Sequence, residues 1–201
     1  MRLRYVSFGL LHTFCSMPSS VTGVIQDLER ILLTPAQISE RVDAMAARLN
    51  VELVGKVVTV VALMDGGLFF VADLLRKLEM PVRLYTLSAS SYQGGTATTG
   101  EVKVSWPANF DIHGQDVLLL DDILDTGLTL SAISERLLAQ QPASLRTCVL
   151  LSKRRQRLSH VALDDAGFEI DDEFVVGYGM DYQGRFRNLP CIGILNPNPA
   201  S

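Results

Sequence analysis

The stretch LLLDDILDTGLTLS, residues 118–131, decides the fold. Its three opening leucines continue an apolar run from Val117, which suits a short strand buried in a sheet. Three carboxylates, Asp121, Asp122 and Asp125, crowd in directly behind it. Residues 121–127 therefore read as a loop, and residues 128–140 as a helix that Thr126-Gly127-Leu128-Thr129 opens. Strand, acidic loop and helix in that order make one half of a crossover unit.

The same order recurs on either side. Residues 57–63 are a continuous apolar, β-branched run, a second strand buried on both faces. Gly66-Gly67 ends that run, and residues 68–78 read as a helix that stops before Pro81. Residues 82–87 alternate like a strand, residues 102–106 form another, and residues 145–151 the next. Upstream, Thr34 caps a helix with Pro35 in its first position and Gln37 completing a capping box. Ile38, Val42, Met45 and Leu49 then mark one apolar stripe. The pattern predicts an α/β fold: a mostly parallel twisted sheet flanked by helices. Ligands in such sheets bind beyond the carboxyl ends of the strands, so the loops at 64–67, 121–127 and 152–157 should share one rim. Residues 160–195, rich in short strand-like pieces and aromatics, are expected to form a small C-terminal hood over that rim.

A chain of 201 residues fits one domain of about 100–200 residues, here placed at 21–201, with residues 1–20 as a loose extension. Arg2 and Arg4 ahead of residues 6–11 faintly suggest an export signal, but His12 interrupts the apolar run and no small-residue cleavage site follows. The stretch reads as a loose tail, or as upstream sequence translated ahead of a start at Met17. With 18 basic and 22 acidic side chains the net charge is −4, which speaks against nucleic acid or an anionic membrane as partner. No stretch approaches the roughly 20 apolar residues of a membrane span. The three cysteines, Cys15, Cys148 and Cys191, are far apart, so a reducing cytoplasm is expected rather than a disulfide scaffold or zinc site.

The acidic loop carries the chemistry. Neighbouring carboxylates repel, so the site must offer cations or hydroxyl donors to offset that cost. The free N–H groups at the start of the following helix, a glycine and two hydroxyls make an anion cradle. Together they suit a ligand carrying a phosphate and either hydroxyls or Mg2+, such as a sugar phosphate. Read blandly, the same residues are a helix cap beside solvated acids. A haloacid-dehalogenase phosphatase would need Asp-x-Asp-x-Thr, and a Walker loop needs a Gly-Lys-Ser/Thr that is absent.

Residues 121–129, DDILDTGLT, closely resemble the phosphoribosyl-diphosphate binding motif of type I phosphoribosyltransferases. Ser90-Ser91-Tyr92 with Gly94-Gly95-Thr96, Gly167-Phe168-Glu169-Ile170, Glu173 through Tyr178, and Asp181-Tyr182 with Arg187 through Pro190 resemble the hypoxanthine-guanine branch. The likeness runs from about residue 34 to residue 195. It implies transfer of phosphoribosyl from phosphoribosyl diphosphate to a 6-oxopurine, hypoxanthine and also guanine, with Mg2+ as cofactor and pyrophosphate as the other product. It also implies a homo-oligomer, dimer or tetramer, as is common in the family.

By the same resemblance, Asp121 and Asp122 lie at the ribose hydroxyls, directly or through the metal. Asp125, Thr126, Gly127, Leu128 and Thr129 wrap the 5′-phosphate, and Asp125 is the general base at purine N7. Lys153 donates to the 6-oxo group, Phe174 stacks on the purine and the Val175 backbone reads its edge. Asp181 is a further metal ligand, and Arg187 contacts pyrophosphate together with the loop of Gly66 and Gly67. Ser91 and Tyr92 form the working tip of a lid at residues 88–100, a stretch whose small polar composition predicts a mobile loop. Taken without the resemblance, Phe174 reads as core packing. Arg154, Arg155 and Arg157 read as a solvated basic turn in either case.

This chain departs from the family at three positions. Asp65 stands where many members carry lysine, and the preceding peptide bond is one the family often holds in cis. Gln93 replaces a common glycine, and Glu173 stands where some relatives have lysine. The alternative to an enzyme is a non-catalytic module that senses phosphoribosyl diphosphate or a nucleotide, with Asp65 marking lost pyrophosphate chemistry.

Overall fold

A computed structural model describes residues 27–91 and 102–196. The extension at 1–20, and Tyr92 with the rest of the expected lid, lie outside the described residues.

A first strand, β1 (Leu28–Leu33), leads into helix α1 (Pro35–Glu52). The Thr34 hydroxyl accepts the Gln37 N–H at 3.3 Å, and the Gln37 side chain accepts the Thr34 N–H at 2.9 Å, the expected reciprocal box. β2 (Val58–Met64), α2 (Leu68–Leu75), β3 (Val82–Ser91) and β4 (Val102–Ser105) follow. Then come β5 (Asp116–Leu124), α3 (Leu128–Leu138), β6 (Ser144–Lys153) and β7 (Asp165–Ile170), and finally β8 (Val175–Val176) and β9 (Ile192–Leu195). The main sheet has the order β4-β3-β2-β5-β6-β7, parallel throughout except for β4.

Its central strands are buried on both faces because helices cover both. Val58, Val60, Ala62, Leu118 and Leu120 pack toward α1 and α2. The alternate residues Val61, Leu63, Val117 and Leu119 pack with Leu130, Ile133 and Leu137 of α3. Leu118, Leu119 and Leu120 are fully enclosed. Each contributes about 1.5–3 kcal/mol relative to exposure. That helps offset the cost of drawing the neighbouring Asp121 under the surface.

Several expectations need correction. β5 does not stop at Leu120. Its ladder with β6 continues through Asp121↔Val149, Ile123↔Leu151 and Leu124↔Ser152, so the first two acids lie on a strand rather than in a loop. Their backbones are held by the flanking strand even though the side chains are not apolar. β3 likewise runs on to Ser91, which pairs with Val102, so Ser91 lies at the end of a strand that leads into the expected lid. The helix expected over 68–78 ends at Leu75, where Lys77 and Leu78 close tight turns onto Leu74 and Leu75.

The hood also differs. β7 is the edge of the main sheet, because residues 165–170 pair in parallel with β6. The separate three-stranded sheet is β1-β9-β8, so one of its strands comes from the start of the chain. β1 and β9 pair antiparallel, with Leu28 opposite Leu195 and Leu33 opposite Ile192.

Candidate active site

The carboxyl ends of β2, β5 and β6 open into a cavity of about 430 Å3, with the hood as its far wall. The three expected rim loops do meet there. The cavity is lined by Met64, Asp65 and Gly66, by residues 121–127 with Thr129, by Lys153, and by Phe174, Val175, Asp181 and Arg187 of the hood side. Gly67 and Leu128 stand just behind it, as the residue before α2 and the first residue of α3.

Asp121 and Asp122 form the floor. The Asp122 N–H donates to Asp121 Oδ1 at 2.9 Å, and the Ile123 N–H donates to Asp122 Oδ1 at 3.0 Å. Burial pushes the proton affinity of Asp121 well above the usual carboxylate range, and the charge of Asp122 adds to the shift. Asp122 is raised too, again chiefly by burial, with Arg187 working in the opposite direction. The pair is thus short of positive charge. Gly66 packs directly on the Asp122 carboxylate, and a Cβ there would overlap it.

The cradle stands beside this pair. Gly127 has φ +84° and precedes α3 without a side-chain cap. A Cβ at Gly127 would lie 2.7 Å from the Ser159 carbonyl oxygen, so both the backbone angle and the space demand glycine. The Thr126 carbonyl accepts the Leu158 N–H at 2.9 Å, which ties the turn to the 157–161 segment. Thr126, Gly127 and Thr129 line the cavity at the start of α3, where unpaired backbone N–H groups stabilise an anion.

Lys153, Asp125 and Phe174, expected at the purine, line the same cavity. Lys153 closes β6 with its side chain 9% exposed. Its Nζ lies 3.2 Å from Asp125 Oδ2 and 3.4 Å from Asp172 Oδ1. Phe174 is 54% exposed and meets Tyr182 edge-on at 5.6 Å, so the core reading of Phe174 is wrong. Its neighbours Val175 and Val176 fill the core instead, which leaves the ring presented at the cavity wall.

Arg155 is exposed, as a basic turn should be, but it is also ion-paired: its Nη1 lies 2.8 Å from Asp125 Oδ1 and 3.2 Å from Asp172 Oδ1. Strand alternation could not have found it, because β6 ends at Lys153 and residue 155 lies in the turn beyond, its N–H bonded to the Lys153 carbonyl at 3.1 Å. Arg154 points away, 60% exposed, toward Glu169 and Asp171. Arg157 turns back to donate to the Ser152 hydroxyl at 3.1 Å. Asp172 also went unsuspected, because an acid in the Asp171-Asp172-Glu173 run looks like surface.

On the pyrophosphate side, Arg187 pairs with Asp181 Oδ1 at 2.8 Å and donates to the Gly179 carbonyl at 2.6 Å. Asp181 Oδ2 accepts the Gly184 N–H at 2.8 Å, so both of its oxygens are engaged. The Met64–Asp65 peptide bond is cis. Asp65 itself lines the cavity as an exposed acid.

The phosphoribosyl transferase domain matches residues 31–183 of this chain. A hypoxanthine-guanine phosphoribosyltransferase of Staphylococcus aureus is 38% identical over 175 residues, covering 87% of this chain and 98% of that protein. Its counterpart in Bacillus subtilis is 36% identical, covering 85% and 95%. The crystal structure of a hypoxanthine phosphoribosyltransferase from S. aureus superposes with a TM-score of 0.83 at 37% identity, covering 90% of this chain and 97% of that one. With the α/β sheet, the acidic pair and the phosphate cradle all in place, the chain belongs to the phosphoribosyltransferase family, in its hypoxanthine-guanine branch.

Proposed function

We propose that this protein is a purine-salvage enzyme that moves phosphoribosyl from phosphoribosyl diphosphate to hypoxanthine, and to guanine, giving IMP or GMP and pyrophosphate. One observation carries the reading: a donor and an acceptor, Lys153 Nζ and Asp125 Oδ2, stand 3.2 Å apart at one end of the cavity. The 6-oxo oxygen and N7 of a 6-oxopurine sit side by side on one edge of the ring. An ammonium for the first and a carboxylate for a proton on the second complement that edge. Adenine would turn an amino group toward the ammonium, two donors face to face.

The chemistry follows from the placement. Purine N9 attacks C1′ of the ribose, and the bond from C1′ to pyrophosphate breaks. The N7 proton passes to Asp125 as the ring gains positive charge. Asp121 and Asp122 lie under the ribose, where their charge stabilises a cationic sugar in the transition state. The α3 N-terminus with Thr126 and Thr129 holds the 5′-phosphate, and Arg187 with the Gly66 backbone takes the pyrophosphate. Phe174 offers an exposed face for the base to stack on, and the Val175 backbone lies beside it.

The residues present fit Mg2+. A buried acid pair whose proton affinities are raised lacks a cation, and Mg2+ would supply it while binding ribose and pyrophosphate oxygens. Among the described residues no three ligating side chains converge. Asp121 and Asp122 would therefore serve Mg2+ on the ribose side, directly or through water, and Asp181 separately on the pyrophosphate side, with most ligands drawn from substrate and water. We further infer a cytoplasmic homo-oligomer. Cys148 and Cys191 are unpaired thiols, and no helix among the described residues is long and apolar enough to cross a membrane.

The test is direct. The protein is mixed with phosphoribosyl diphosphate, Mg2+ and each of hypoxanthine, guanine, xanthine and adenine, and nucleotide is measured. Product from hypoxanthine and guanine, with little from adenine, is expected. Tight ligand binding without product from any base would favour the sensing module instead.

A further inference from the structure

Four charges close a ring at the purine end. Lys153 and Arg155 each reach both Asp125 and Asp172, with contacts between 2.8 and 3.4 Å. The two cations divide Asp125 between them, Lys153 on Oδ2 and Arg155 on Oδ1. Lys153 can turn to a 6-oxo oxygen only if Asp125 and Asp172 keep another counter-ion, because a carboxylate left alone would draw the ammonium back. Arg155 is that counter-ion: its always-charged guanidinium reaches both carboxylates through Nη1.

Without Arg155, one ammonium would answer two carboxylates. Lys153 would be held more tightly away from the base. Asp125 Oδ1 and Asp172 would become open acceptors near the purine 6-position, an arrangement that suits a 6-amino group. We propose that Arg155 is a specificity-determining positioning residue: it occupies Asp125 and Asp172 so that Lys153 is released to a 6-oxopurine and adenine finds no acceptor. This rests on the reading of Lys153 and Asp125 as the groups that face the purine edge.

The test compares the wild type with Arg155→Ala, Arg155→Lys and Arg154→Ala. Turnover of hypoxanthine gives kcat and KM, and adenine affinity comes from its competition against hypoxanthine. Arg155→Ala should raise KM for hypoxanthine and tighten adenine. The preference should shrink about tenfold or more, the scale of one hydrogen bond to a charged group. Arg155→Lys should recover most of the preference, and Arg154→Ala should keep it at the wild-type ratio. Equal losses for both bases, an unchanged preference in Arg155→Ala, or no recovery with lysine would overturn the proposal. Should Arg155→Ala fail to fold, Arg155→Gln takes its place with the same expectation. If the wild type converts no 6-oxopurine, the enzyme reading itself falls. Calorimetric binding of hypoxanthine and adenine to the same variants then still decides the role of Arg155.

Discussion

Asp121 and Asp122 differ sharply from Asp125, although all three belong to one short segment. The first two sit at the end of a buried strand and have little positive charge near them. Burial raises their proton affinity, with Arg187 the one cation that offsets it at Asp122. Asp125 projects beyond the strand, 41% exposed, with a cation on each oxygen. The protein thus supplies counter-charge for Asp125, the proposed base, and little for the buried pair. Like residues in one short segment meet opposite surroundings because the strand ends between them.

The largest expected effect breaks the contrast at Asp125. Asp125→Asn keeps the shape but can accept from only one of its two cations and cannot take the N7 proton, so kcat should fall about 10²- to 10⁴-fold, the usual worth of a positioned base. Nucleotide binding, read by calorimetry, should largely persist. Turnover close to wild type would remove Asp125 from the chemistry.

Next in size is the response of the acid pair to its missing charge. Phosphoribosyl diphosphate with Mg2+ at 100 times its Kd should stabilise the fold by about 2.7 kcal/mol. Thermal unfolding should show a markedly smaller gain in Asp121→Asn and Asp122→Asn. An equal gain in these variants would place the ligand elsewhere.

A smaller effect concerns pH in the ligand-free protein. Asp121 and Asp122 have folded proton affinities above their unfolded ones. The folded state therefore binds more protons, and stability declines as pH rises from the ordinary carboxylate value through the raised one. Asp121→Asn should flatten that decline in denaturant titrations across the acid range. A wild-type curve that instead rises monotonically there would contradict the assigned cause.

The smallest effect is an expected absence of reaction. Cys148 lies opposite Leu120, one residue before the acid pair, and the same burial pushes its thiol up to about 12. Iodoacetamide at pH 8 should leave Cys148 unmodified in the folded protein, as read by mass spectrometry, and modify it once the chain is unfolded. Rapid native labelling would mean that the floor of the site opens, and the burial argument for Asp121 would fail with it.

The elements legible in the sequence were those set by neighbours. The Thr34–Gln37 box, the apolar runs of β2 and β5, the Gly127 turn and the α3 start depend on contacts a few residues apart, so spacing alone reveals them. Strand ends were misjudged at Asp121 and Ser91, because pairing with a neighbouring strand keeps a polar residue in the ladder. The motif at 121–129 located the site, and the likeness to known transferases assigned Lys153 and Phe174.

Tertiary structure alone decided the rest. It took β1 into the hood, turned the Phe174 ring outward, and joined Lys153 and Arg155 to carboxylates 28 and 30 positions away. It also set the proton affinity of the acid pair, because burial is a property of the packed fold. Local chemistry fixes which groups a chain can offer. Which of them meet, and with how little water between them, is fixed only when distant segments pack together.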